Sequence, residues 1–357
     1  TQSTLAGGNN ALTITGAADI DGAYSGLTTL SVTGASNIGA NITTSGAQTY
    51  AGAVTLSGGD RTLTGSTIHT QSTLAGGNNA LSITGVADID GDFTGLTTLS
   101  VSGTANIGAN ITSSGTQTYA GAVTLSGGDR TLTASTVNTQ STLAGGNNAL
   151  TITGAADIDG AFSGLTTLSV TGASNMGANI TTSGAQTYAG AVTLSGGDRT
   201  LTGSTIHTQS TLAGGNNALS ITGVADIDGD FTGLTTLSVS GTANIGANIT
   251  SSGTQTYAGA VTLSGGDRTL TASTVNTQST LAGGNNALTI TGAADIDGTY
   301  SGLTTLSVTG ASNIGADITS SGTQTYTGAV TLSGGDRTLT GSTIHTKSTL
   351  AGGNNAL

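Results

Sequence analysis

Two carboxylates separated by one apolar residue, Asp19-Ile20-Asp21-Gly22, return in each of five tandem repeats along this 357-residue chain. If Ile20 faces inward on an extended strand, both carboxylates face outward side by side. Such a pair can hold calcium, which takes roughly six to eight oxygens, and Asp92 and Asp230 add a third carboxylate in two of the units. Calcium-binding β-helix repeats carry a third glycine and an aspartate that the GGNNAL segment at Gly7 lacks. A solvated strand whose charges keep molecules apart accounts for the same residues.

Asp60-Arg61 follows Gly58-Gly59 in all five units and is the one place where opposite charges adjoin. It reads as a turn held by local hydrogen bonds. General acid-base work needs a second acid or base nearby in a cleft, and the unit supplies none. Five identical copies would also mean five identical active sites. No residue is therefore assigned a catalytic, cofactor-binding or metal-ligating role, and no cofactor is expected.

His69, His207 and His345 recur in alternate repeats, with Asn138 and Asn276 in their place in the intervening ones. Lying some six coils apart, they cannot share a metal, and they read as surface variation. Asn9, Asn10, Asn37 and Asn41 sit beside glycine or at strand ends, where they can form turns or amide contacts between coils. Asp317 stands where the other units have Asn41, which implies an exposed position.

Aromatic residues occur at two places per unit. Tyr24, Phe93, Phe162, Phe231 and Tyr300 interchange hydroxyl and hydrogen, which points to a space-filling site rather than a sugar-stacking one. Tyr50, Tyr119, Tyr188, Tyr257 and Tyr326 always stand in QTY, and the constancy suggests a hydroxyl kept in water. Met176 replaces Ile38 without changing volume much, as a core position allows.

These positions need elements to carry them, and composition narrows which. There are 60 glycines, no proline, cysteine or tryptophan, 7% charged residues and a net charge of −12. With 18 acidic against 6 basic side chains there is no basic surface for phosphates, so nucleic acid is excluded as a partner. No apolar run approaches the roughly 20 residues of a membrane span. Low charge argues against a disordered linker. The absence of cysteine fits an exported protein. The chain opens inside a repeat, so any targeting segment is expected outside it.

The period decides the fold. TQSTLAGGNNAL begins at residues 1, 70, 139, 208 and 277 and returns as TKSTLAGGNNAL at 346. Repeats 1–69, 70–138, 139–207, 208–276 and 277–345, with the partial repeat 346–357, are expected to form one continuous solenoid. Within a unit LTITG from Leu12, LSVTG from Leu30 and VTLSG from Val54 alternate apolar and hydroxyl residues, the pattern of short half-buried strands. Each ends on a glycine, Gly16, Gly34 or Gly58, where the chain can turn. These starts predict about three coils per repeat of unequal length, some fifteen in all, with a bulge in the third.

One coil cannot bury its apolar side, but stacked coils share an interior and pair their backbones at about 4.8 Å. Lack of proline agrees, because each inner coil must donate to its neighbour. The expectation is an all-β, right-handed parallel β-helix. A string of small sandwiches competes, but a repeat no longer than 1–69 is short for that family. Outward Thr13, Ser31 and Thr55 would then form a hydroxyl ladder, an arrangement that on flat solenoids can bind ice. The strand preference of threonine explains the same pattern.

LTTLSVTGASNIGANITTSG and GAVTLSGGDRTLTGSTI resemble the repeat regions of large bacterial surface proteins of the filamentous-haemagglutinin and autotransporter type. The resemblance spans the chain and implies a β-helical extracellular stalk, adhesin shaft or matrix fibre. The functional expectation is a non-catalytic structural fibre on the cell surface or outside the cell. Its partners would be itself, by continued or end-to-end stacking of coils, and a host or neighbouring cell surface. The alternative is a repetitive binding module for calcium, glycan or ice. A polysaccharide-cleaving β-helix enzyme would need acidic or basic residues clustered in one groove.

Overall fold

In the computed structural model of the chain, residues 2–352 are described, and the rest of the partial repeat 346–357 lies outside them. Every described regular element is a strand, and every described pairing is parallel. The fold is an all-β parallel solenoid. It divides into two compact units, Thr1–Ser174 with Thr181–Ser183 and Asn175–Ile180 with Gly184–Leu357.

In the first unit the inward residues of successive turns stack in three columns. One runs Leu5, Tyr24, Ile42, Leu63, Ile83, Val101, Tyr119, Thr139, Ile158. A second runs Leu12, Leu30, Gln48, Ile68, Ala87, Ala105, Val123, Leu143, Phe162. The third runs Ala18, Ser36, Val54, Leu74, Phe93, Ile111, Leu132, Ile152, Val170. Each turn thus contributes three short strands, and these side chains are almost all buried. Each buried aliphatic or aromatic residue contributes roughly 1.5–3 kcal/mol of transfer free energy. The second unit repeats the arrangement, with Val192, Leu212, Phe231, Ile249, Leu270, Ile290, Val308 and Tyr326 in one column.

The turn is shorter than the motif spacing predicts. Leu12 does lie beside Leu30, but Leu30 lies beside Gln48 and not beside Val54. The column from Leu5 to Ile158 climbs in ~19-residue turns. The described residues make about 18 turns rather than fifteen. One repeat therefore occupies about three and two-thirds turns, not three. The reason is that Gln48–Tyr50 is a strand too and takes the place beside Leu30 with Gln inward, while Val54–Leu56 stacks on Ser36–Ile38. Aliphatic alternation alone passes over it.

The expected bulge is a longer corner. Gly58 at φ 69° and Gly59 at φ 119° carry the chain through a left-handed corner between Val54–Leu56 and Arg61–Thr70. This makes the step from Ile42 to Leu63 longer than the step from Tyr24 to Ile42 before it. Met176 is fully buried, as its replacement of Ile38 implied.

Candidate functional site

Strand Leu74–Ile89 ends on the Asp-Ile-Asp segment of the second repeat. Ile89 is fully buried in a core column, so Asp88 and Asp90 face outward as the alternation requires. One turn earlier, strand Arg61–Thr70 places His69 directly beside Asp88. The imidazole Nε2 lies 3.5 Å from Asp88 Oδ2 and 2.8 Å from Asp90 Oδ2. One turn later, Asn106 pairs with Asp88 in the same ladder, and its Nδ2 donates to Asp88 Oδ1 at 2.8 Å. Asp88 is thereby held with Oδ2 toward the imidazole.

The fourth repeat builds the same group in the second unit. His207 Nε2 stands 3.5 Å from Asp226 Oδ2 and 2.8 Å from Asp228 Oδ2, and Asn244 donates to Asp226 Oδ1 at 2.8 Å. In the third and fifth repeats the Asp-Ile-Asp pair meets an asparagine in the histidine's place. Asn138 Nδ2 donates to Asp157 Oδ2 at 3.0 Å, and Asn276 Nδ2 to Asp295 Oδ2 at 3.1 Å. The histidines are thus not isolated surface variation: His69 and His207 each lie one turn from an Asp-Ile-Asp pair. The spacing from His69 to Asp88 was visible in the sequence, but it carries no meaning until the length of a turn is known.

The Asp60-Arg61 corner is a structural turn. Arg61 Nε donates to the carbonyl of Ser57 at 2.9 Å, folding the guanidinium back over the two glycines. Asp60 Oδ1 accepts from the backbone of Ala80 at 2.8 Å. The asparagines serve as expected. Asn10 Nδ2 donates to the carbonyls of Gly7 and Gly8, and Asn41 Oδ1 accepts from Thr62 N. Asp317 keeps that last bond, accepting from Thr338 N at 2.9 Å, because the position needs only an oxygen.

The QTY tyrosines are not wet. Tyr50 is fully buried, and its hydroxyl donates to Gln48 Oε1 at 2.8 Å. Gln48 Nε2 in turn donates to the carbonyls of Ile42 and Thr64 at 3.2 and 2.8 Å. Gln and Tyr at alternate positions lie on one face of a strand, which is the signal that marks them as a buried pair. Burial pushes the hydroxyls of Tyr50, Tyr119, Tyr188 and Tyr257 far above the ordinary phenol range. The other aromatic site is core as expected, with Phe93 and Phe231 fully buried.

A depression of about 340 Å³ lies over Ala17, Asp19, Ala35, Ser36, Asn37 and Thr55. Asp19 is the one acidic side chain in its lining, and Asn37 donates to it at 2.8 Å. Among the described residues no helix is long and apolar enough to cross a membrane. No family model matches the chain, and comparison with curated proteins and with solved structures gives no match.

Proposed function

We propose that this chain is a non-catalytic structural segment of a solenoid shaft, an extracellular fibre or adhesin stalk built from tandem repeats. The observation that carries this reading is the continuity of the parallel ladder within each unit. Each inner turn is hydrogen-bonded to the turns before and after it. Stability in such an array comes from neighbouring turns and grows with their number, which suits a spacer. The polar surface supports the same reading. Asp60, Asp92 and Asn41 each cap a backbone N–H of the next turn, at Ala80, Asn110 and Thr62, so these side chains knit turns together.

The partners under this reading are further solenoid turns and a host or neighbouring cell surface. Electron microscopy of the purified chain should show extended particles resistant to limited proteolysis. Antibodies against the chain should label intact cells that produce it. Compact globules that do not associate, or labelling only after the cells are opened, would overturn the proposal.

A further inference from the structure

We propose that His69, Asp88 and Asp90 form a binding site for a divalent cation of the zinc class, and that His207, Asp226 and Asp228 form a second. In both places the imidazole nitrogen and the two carboxylate oxygens lie within 4.8 Å of one another. Two anionic oxygens aimed at one point repel unless positive charge lies between them. A dication balances both carboxylates, whereas an imidazolium leaves one of them uncompensated.

The donor set selects the ion. One imidazole nitrogen and two carboxylate oxygens suit zinc and its neighbours, while calcium and magnesium prefer oxygen alone. With zinc bonds of about 2.0–2.2 Å, the edge of the coordination tetrahedron is about 3.3–3.6 Å. The His69 to Asp88 separation of 3.5 Å already has that length. The His69 to Asp90 separation of 2.8 Å must open slightly. Asp90 has room to yield, since its side chain is 48% exposed whereas that of Asp88 is 31% exposed.

Asn106 and Asn244 hold the outer oxygens of Asp88 and Asp226 at 2.8 Å, the outer support that orients a ligating carboxylate. This support is common to the repeats, since Asn313 holds Asp295 in the same way at 2.8 Å, and the histidine is what sets these two groups apart. The distances also recur in two separately packed units. The bound ion would tie one turn to the next, with water or a ligand from outside completing its coordination.

The test is calorimetric titration of the untagged chain with zinc chloride. The expected stoichiometry is two ions per chain. His69→Asn should reduce it to one, and His69→Asn with His207→Asn to none. The fold tolerates these changes, because asparagine occupies the same place beside the third and fifth repeats, and circular dichroism should be unaltered. Absence of zinc uptake by the parent chain, or an unchanged stoichiometry in the double variant, would overturn the proposal. Neither result bears on the structural role proposed above, which rests on the ladder and not on the ion.

Discussion

Leu5 and Leu74 hold the same position in successive repeats, yet they belong to different columns of the core: Leu5 pairs with Tyr24, and Leu74 with Val54 and Phe93. From Leu5 three turns lead to Leu63, and the next two sides of the coil carry Ile68 and Leu74. Each repeat within the first unit thus starts a third of a turn away from the last one. Leu143, the next equivalent, falls in the remaining column beside Val123. A single sequence must consequently fit all three columns of neighbours, which explains why small, interchangeable Ala, Val, Leu, Ile and Thr dominate its inward positions.

The rotation also decides what the outer face offers to ice. Thr13 and Ser31 stack as expected, but Thr49 follows them in place of Thr55, which lies between Asn37 and Ala75, and the column continues through His69, Asp88 and Asn106 before reaching Thr124 and Ala144. A hydroxyl array three rungs long, ending in charge, gives no lattice match. Thermal hysteresis of the purified chain should be zero and ice crystals grown in its presence unfaceted. Measurable hysteresis would show that another face supplies the array.

The buried Gln–Tyr pairs make stability fall in alkali. Unfolded tyrosine loses its proton near pH 10, whereas burial holds the hydroxyls of Tyr119 and Tyr188 protonated well above that. Below about pH 10 both states keep the proton and there is no effect. Above it the unfolded state alone loses the proton, so each such tyrosine removes up to about 1.4 kcal/mol of stability per pH unit. Ultraviolet titration should show tyrosinate appearing together with loss of the strand signal. Tyr119→Phe would leave Gln117 Oε1 without its donor and cost about 1–3 kcal/mol in urea unfolding at neutral pH.

The parallel solenoid was readable because Leu12-Thr13-Ile14 and Leu30-Ser31-Val32 alternate cleanly and do stack. The turn length was not, because polarity stood for exposure in that reading. Gln48 is polar and fully buried, so the strand that carries it and Tyr50 does not show itself as one. With the turn misjudged, His69 and Asp88 could not be placed side by side. The grouping of histidine with the Asp-Ile-Asp pair depends on which residues lie a turn apart, and local sequence is silent on that.

Natural differences between repeats point to two stabilising changes. Tyr300 shares a hydrogen bond of 2.8 Å with Thr277. Phe93 and Thr70 are the equivalent pair in an earlier repeat, and the buried hydroxyl of Thr70 has no partner. Phe93→Tyr should supply that partner and raise stability by roughly 0.5–1.5 kcal/mol. Ser36 Oγ is likewise buried without a partner, and Ala105 holds the corresponding place with similar burial. Ser36→Ala should be neutral or stabilising by about 1 kcal/mol. Both are read from denaturant midpoints, and a fall in either midpoint would show that the hydroxyls are satisfied in solution.

Gly16 and Gly85 are the same residue of consecutive repeats, and they should respond oppositely to alanine. Gly85 has φ 124°, and a Cβ there would run into the carbonyl oxygen of Gly65 on the preceding turn. Around Gly16, in the first described turn, a Cβ would meet no atom within 4 Å. Backbone strain of this kind costs about 1–3 kcal/mol, and the clash adds to it by forcing two turns apart next to the Thr64–Thr84 rung of their ladder. Gly16→Ala, in contrast, should be neutral, or slightly stabilising by about 0.4–1 kcal/mol through a stiffer unfolded chain. Hydrogen exchange is the suitable measurement, because solenoid turns open locally. Gly85→Ala should speed exchange in the amides of Arg61–Thr70 and Leu74–Ile89 and leave distant turns protected. Equal effects of the two substitutions would mean that Gly65 and Gly85 do not face each other across adjacent turns.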